Sequence, residues 1–513
     1  MALLIKRRPK RTKSPISLEE KEPKTEIELG TNVEEILKML EERLDYTSDI
    51  GQRWLKFNHE RALLVYFVPL MDSIKLNDHV IKPLLIEKEG EIKEVIQAAS
   101  ITPTKDLDEM ISLMSRGASL LLIENDPLVY AIDSTKTATR EVNQALNEKI
   151  IRGSQESFVE SLDKNLNLMR QRFLDGSLIV RYIEVGSISR TRVAVLYLKN
   201  IANVEICNTI INRIKQIEVD GVDSGSIIEE ALEDSPLSPF PQLLNTERPD
   251  RVMGNLLEGR MAVLTNGNSS ALIAPVNFFS FYQSPEDYNT RALYGSFFRL
   301  LRVFSFFVAM SLPAIYIATI SFHYELIPLD LVFTVKGSLE NVPFPPIVEA
   351  FIMVLILELL KEASLRLPSS IAQTIGVVGG LVIGTAIVEA SLVSNMMIIV
   401  IALTAVSSFV VPSNEMSTTL RILSFPMMIG AAVFGYLGIV FVLVLIVMHL
   451  VILESITMPY LIPLAPFRFS GLKDVFIRMH QIYLNEKPAN AKPQKRKRQK
   501  AIRNWDWYFR ITL

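Results

Sequence analysis

The sequence predicts an α+β or α/β soluble N-terminal region followed by an α-helical polytopic membrane domain. Three observations carry that reading. Residues 303–453 hold four long runs without Asp, Glu, Lys or Arg, whereas residues 1–290 carry charge throughout. Strand-like stretches rich in Val, Ile and Tyr alternate with helix-patterned ones before residue 290. The chain, at 513 residues, is also long enough for two or three domains. Average composition hides this division: 49% of residues are apolar, 21% are charged, and mean hydropathy is +0.26.

Residues 1–30 are polar and charge-rich, the composition of a disordered tail. A first cytoplasmic subdomain is expected over 31–152. It opens with helical apolar spacing at Val33, Ile36, Leu37, Leu40 and Leu44. The runs Ser119–Ile123 and Leu128–Ile132 read as strands around a turn containing Asn125, Asp126 and Pro127. A second subdomain, 153–295, continues with a helix near Val159–Phe173, strands at Leu178–Glu184 and Thr191–Leu198, and a helix over Asn203–Ile214. Met261–Leu264 and Ala271–Ala274 flank Asn266-Gly267, a hairpin signal.

The membrane domain is expected over 296–460. An α-helix rises about 1.5 Å per residue, so about 20 apolar residues cross a hydrocarbon core about 30 Å thick. The four runs predict spans at about 303–321, 371–389, 391–411 and 422–453. A fifth apolar stretch carries Glu349 and Glu358, and Pro343, Pro345 and Pro346 prevent its helix from starting earlier than Pro346. The stretch 346–360 is short for a crossing and reads as a re-entrant or tilted helix. The start, MALLIKRRPKRTKS, places six basic residues after a short apolar stub, the reverse of a cleavable signal. Arg291, Arg299 and Arg302 flank the first span, and Arg468, Lys473 and Arg478 follow the last. Both termini are thus expected in the cytoplasm, with 461–513 a basic tail.

Composition also excludes function classes. A net charge of −2 argues against a wholesale nucleic-acid binder. The single cysteine, Cys207, leaves no disulfide framework and no multi-cysteine metal site. No phosphate-binding glycine loop, paired-histidine zinc motif or CxxC occurs. Gly221-Val-Asp-Ser-Gly225 does not centre its serine between glycines as a nucleophile elbow requires. No enzyme, cofactor or metal site is specified.

Within the membrane domain, Gly376, Gly380 and Gly384 recur every four residues and form a helix-packing face. Thr374 and Thr385 share a face of the same helix, and Thr404, Ser407 and Ser408 share one on the next. Such hydroxyl stripes either line a water-filled path or bond back to their own helix carbonyls. Glu349 and Glu358, nine residues apart, fall on opposite faces of one helix. Glu349 lies where the helix dipole favours an anion, and Glu358 is spaced to pair with Lys361. Intramembrane carboxylates are functional candidates. Pro313 is placed to kink the first span.

Several ordered motifs bear a resemblance. These are Arg152-Gly-Ser-Gln-Glu-Ser-Phe158, Asp234-Ser-Pro-Leu-Ser-Pro-Phe-Pro241, Thr246-Glu-Arg-Pro-Asp250, Leu257-Glu-Gly-Arg260 and Gln283-Ser-Pro-Glu-Asp-Tyr288. In the membrane part they are Val342-Pro-Phe-Pro345, Leu367-Pro-Ser-Ser-Ile-Ala-Gln-Thr374, Gly376-Val-Val-Gly-Gly380 and Pro459-Tyr-Leu-Ile-Pro-Leu-Ala-Pro466. From about Arg152 to Phe467 the chain resembles the A subunit of the spore germinant receptor family of endospore-forming bacteria. Ser154, Gln155 and Pro412-Ser-Asn-Glu415 depart locally from the family pattern.

The resemblance implies nutrient sensing at the spore inner membrane. It implies partners too: a transporter-like B subunit, a lipoprotein C subunit and further copies of the chain; the basic C-terminal run is in addition suited to anionic membrane lipid. It also implies an oligomeric germinant-gated ion channel, with Thr374, Thr385, Thr404, Ser407 and Ser408 as pore-lining candidates. A non-conducting scaffold and a secondary transporter are the alternatives.

Overall fold

A computed structural model describes residues 31–87, 89–136, 148, 150, 152–368, 371, 380, 382, 384–480, 486–488 and 491–498. The chain forms two compact units. One comprises Met1–Tyr46 and Ile50–Thr137, the other Thr47–Asp49 and Ala138–Leu513. The boundary thus falls at 137–138 and not at 152. The reason is Glu148, whose carboxylate takes hydrogen bonds from Arg251 (2.5 Å) and from the Thr246 hydroxyl (2.6 Å), well inside the second unit.

The first unit opens with α1 (Val33–Arg43), whose Asn32 cap accepts the Glu34 N–H. β1 (Ile50–Phe57) and β2 (Glu60–Phe67) form a tight hairpin through Asn58 and His59, both left-handed at φ 51° and 64°. β3 (Ile101–Thr104), α2 (Leu107–Ser115), β4 (Ala118–Ile123) and β5 (Val129–Asp133) follow. The sheet order is β1-β2-β4-β5-β3, all antiparallel. Strand alternation sends Leu63 and Val65 against α1 and α2. Ala62 and Leu64 point to the opposite core with Val80, Ile81 and Leu84. Both faces of the sheet are therefore covered.

The second unit repeats that plan. It runs α3 (Leu162–Arg170), β6 (Leu178–Val185), β7 (Thr191–Leu198), α4 (Val204–Lys215), α5 (Gly225–Leu232), β8 (Leu244–Thr246), α6 (Pro249–Leu257), β9 (Met261–Thr265) and β10 (Ala271–Ala274). Its order, β6-β7-β9-β10-β8, has the same topology as the first sheet. In each, a helix and a hairpin lead through helical segments to a short strand, then a helix and a second hairpin. The antiparallel pairing selects α+β over α/β for this region. The outer edge of β6 carries Ser48, whose N–H donates to Val180 O at 2.8 Å. Beneath it Arg170 forms a fully buried pair with Asp49 (2.8 and 2.7 Å).

A helical region completes this unit. α7 (Ala292–Phe322) is 31 residues long, about 46 Å at helical rise. α8 (Leu329–Leu339) and α9 (Pro346–Leu365) follow, then α10 (Asn395–Phe409), α11 (Asn414–Phe434) and α12 (Tyr436–Ile452). One contiguous core runs from β6, β7, β9 and β10 through Phe278, Phe281 and Tyr282 into Phe306, Met310, Met397, Leu420 and Met427 of these helices. The chain after α12 returns to the sheet: Tyr460 donates its hydroxyl to Pro241 O (2.7 Å), and Ser455 accepts the Val276 N–H (3.0 Å).

Among the described residues, two helices are long and apolar enough to cross a membrane, α7 and α11. The spans expected from sequence change accordingly. The run 422–453 is two helices, α11 and α12, because Gly435 between them takes φ 60°, ψ −138°. The run 391–411 supplies only the 15 residues of α10. The short helix expected at 346–360 extends to Leu365 and reaches 20 residues. Most of the run 371–389 lies outside the described residues, as do the tail 1–30 and the end of the chain from 499.

Candidate functional site in the helical region

The hydroxyl candidates are placed by α10 and by the stretch before it. Thr404 is buried and donates to Val400 O at 2.8 Å. Ser408 is fully buried and donates to Ala405 O, while its own carbonyl accepts the Ser417 hydroxyl of α11, each at 2.8 Å. Ser407 is half-buried. Thr385 is exposed, and its hydroxyl reaches Val382 O at 3.2 Å. Thr374 lies outside the described residues, as does Gly376. Two of the hydroxyls therefore bond back to their own helix and pack against neighbours within the chain.

A Cβ on Gly380 or Gly384 meets no described atom within 4 Å. The close approach is elsewhere: a Cβ on Gly430 of α11 would lie 2.9 Å from the carbonyl oxygen of Gly438 on α12.

Glu349 is fully buried in the first turn of α9. Its Oε2 accepts the Ser394 N–H at 2.8 Å, just before α10, and its Oε1 has no hydrogen-bond partner among the described residues. Ser394 caps α10 by accepting the Met397 N–H, and Tyr316 of α7 brings its hydroxyl 3.4 Å from the same serine. Three helices thus meet at one carboxylate, which also sits at the positive end of α10. Glu358 pairs with Arg421 of α11, not with Lys361, at 2.7 Å. The two carboxylates accordingly bind α9 to different neighbours from opposite faces.

The foot of α7 holds a buried charge cluster. Arg299, 1% exposed, donates to Asp287 (3.1 Å) and to Asp474 (2.9 Å), and Arg302 donates to Asp287 at 2.8 Å. Tyr288 donates its hydroxyl to Asp474 (2.6 Å), with the guanidinium groups of Arg299 and Arg478 against its ring. Burial, with Asp474 nearby, raises the Tyr288 phenol far above its usual range. Arg299 and Arg302, which read as part of a basic flank, are therefore ion-paired inside the protein, whereas Arg291 is exposed. Asp287 belongs to the motif Gln283–Tyr288 and closes the capping box that Ser284 opens, neither of which points to the arginines. Asp474, nearly two hundred positions away, left no local signal.

Where α5 meets the start of α11, Glu229 lies near Glu415, Glu233 and Glu230. Burial and those like charges lift the Glu229 carboxyl to about 8. No group of three or more His, Cys, Asp or Glu suited to holding a metal occurs among the described residues.

The comparisons with known proteins cover this arrangement. A family model for the Bacillus/Clostridium GerA spore germination protein matches residues 38–490. Spore germination protein B1 of Bacillus subtilis (strain 168) is 35% identical over 486 residues, covering 92% of this chain and 99% of that protein. Spore germination protein GerQA of Bacillus cereus is 35% identical over 470 residues, covering 91% and 93%. An uncharacterized membrane protein of Bacillus subtilis (strain 168), YfkQ, is 35% identical over 488 residues, covering 94% and 95%. Among solved structures, the N-terminal domain of the A subunit of the Bacillus megaterium spore germinant receptor GerK3 aligns at 26% identity. Its TM-score is 0.40, with coverage of 50% of this chain and 99% of that one. With its sheet-bearing units and its helical region matched end to end, the chain belongs to the GerA family of spore germination proteins.

Proposed function

We propose that the chain is the A subunit of a nutrient germinant receptor in the spore inner membrane. Copies of it assemble there with a transporter-like B subunit and a lipoprotein C subunit into a germinant-gated ion channel. The helical region lies in the bilayer as a polytopic domain, and both termini face the cytoplasm. No catalytic step is assigned. The observation that carries the reading is the continuity of the family match, residues 38–490, across sheets and helices alike. The single core joining the second sheet to α7, α10 and α11 supports gating. A displacement of the sheet has no compliant layer in which to dissipate before it reaches the helices. A germinant opens such a pore only by binding the open arrangement more tightly than the closed one.

A second reading has its own support. Thr404 and Ser408 are buried and bonded to α10 carbonyls, the behaviour of packing hydroxyls in a non-conducting scaffold. One experiment separates the two. All three subunits are expressed in vegetative cells, germinant is added, and monovalent-cation efflux is followed. The channel requires germinant-dependent efflux that is lost without this chain and altered by Thr404→Val or Ser408→Ala. Efflux absent with every partner present leaves the scaffold.

A further inference from the structure

Arg421 lies two turns into α11. Thr419, two residues earlier, donates its hydroxyl to Pro239 O in the sheet-bearing part of the unit. Two residues advance a helix by about 3 Å. The guanidinium of Arg421 therefore sits at the end of the helical region nearest the sheet, the level at which lipid phosphates meet protein. That placement rests on the bilayer reading above.

The donors of Arg421 are only partly used. Its Nε lies 2.7 Å from Glu358 Oε1 on α9, and its Nη2 donates to the exposed Thr418 hydroxyl at 2.9 Å. Its Nη1 is buried and has no acceptor among the described residues, and its buried Nε, though close to Glu358, makes no hydrogen bond. The side chain is 14% exposed, so one edge reaches the surface. Lys361 stands three residues after Glu358, is half-buried, and feels the charge of Arg421. The next carboxylate, Glu362, is taken by Arg366 at 2.6 Å.

Arg421 and Lys361 thus both lie near Glu358, and Arg421 alone is paired with it. Surplus positive charge beside lipid is costly, because the surroundings screen it poorly. A phosphate oxygen at the exposed edge of the Arg421 side chain removes the surplus. A planar guanidinium suits such an acceptor, and an ammonium adds a mobile point charge. We propose that Arg421 and Lys361 form a binding site for the phosphate of an anionic phospholipid in the leaflet nearest the sheet.

The test uses the full chain reconstituted in nanodiscs of phosphatidylcholine with or without phosphatidylglycerol. Lipid retained after detergent exchange is counted by native mass spectrometry. The parent should retain phosphatidylglycerol preferentially. Lys361→Gln, which leaves the Glu358–Arg421 pair intact, should weaken that preference about fivefold, and Arg421→Gln should weaken it further. Equal retention of the two lipids, or parental retention by Lys361→Gln, overturns the site. Displacement of phosphatidylglycerol by millimolar inorganic phosphate overturns the lipid in favour of a free anion. A chain that stays dispersed in buffer without detergent overturns the bilayer reading instead, an outcome visible before any lipid is counted.

Discussion

Gly430 and Gly438 hold the backbones of α11 and α12 in direct contact: a Cβ on Gly430 would lie 2.9 Å from both the Gly438 carbonyl oxygen and Val442 Cγ2. Neither neighbour is a flexible side-chain end that can swing away. Gly430→Ala should lower stability by about 1–3 kcal/mol, the usual cost of overpacking. Gly384→Ala, with open space around it, should change stability little within one chain. Thermal unfolding of the two variants in one detergent checks the contrast. Equal losses at both positions would show that the α11–α12 contact is not the tight one.

Arg170 and Asp49 are both inaccessible to solvent and joined by two hydrogen bonds, with Thr47 Oγ1 accepting a third from the guanidinium at 3.2 Å. Removing one partner strands a buried charge. Asp49→Ala is expected to cost about 3–5 kcal/mol. The double variant Asp49→Ala with Arg170→Met should recover part of that loss. Denaturant midpoints for the single and double variants measure the coupling, and simple additivity would refute it.

Glu229 gives the fold a pH dependence with a definite sign. Its folded value of about 8 lies above the ordinary 4.5, so the folded chain keeps a proton that the unfolded chain releases. The stabilisation is complete below about 4.5 and fades as pH rises through 8. The melting temperature should therefore fall as pH is raised across that window, and Glu229→Gln should flatten the profile. An unchanged profile in the variant would assign the dependence to other groups.

Glu349 holds α9 to the start of α10 through the Ser394 N–H. Glu349→Ala leaves that donor buried without an acceptor and should cost about 1–3 kcal/mol. Glu349→Gln keeps an acceptor of the same shape and should cost less. Unfolding in detergent ranks the pair, and equal losses in the two neutral variants would mean that charge, not the hydrogen bond, is what the site needs.

Much of this fold is written locally. Runs free of charge mark the helical region because long apolar stretches fold as helices that bury them against one another. Pro345 and Pro346 mark the start of α9 because their fixed φ suits a first turn. Asn266-Gly267 marks the β9–β10 hairpin, where Gly267 takes φ 89°. What stayed hidden is tertiary. The repeated sheet plan needs β1, β2, β3 and β8, and these strands carry Gln52, Arg53, Lys56 and Asn245 within short or mixed patterns. A stripe of glycines shows which positions are small, not which of them meets a neighbour. Arg299 and Arg302 look like exposed flanks until Asp287 and Asp474 are brought against them.

That last cluster means that the first and last parts of the helical region are fastened to each other. Asp474, beyond α12, supplies an anion on which the root of α7 depends. A stop codon or frameshift between the end of α7 and residue 474 would do more than shorten the chain. It would leave Arg299 with Asp287 as its one carboxylate in an interior built for two. The damage would surface at the opposite end of the helical region from the lesion, as a product that is synthesised but cleared by proteolysis.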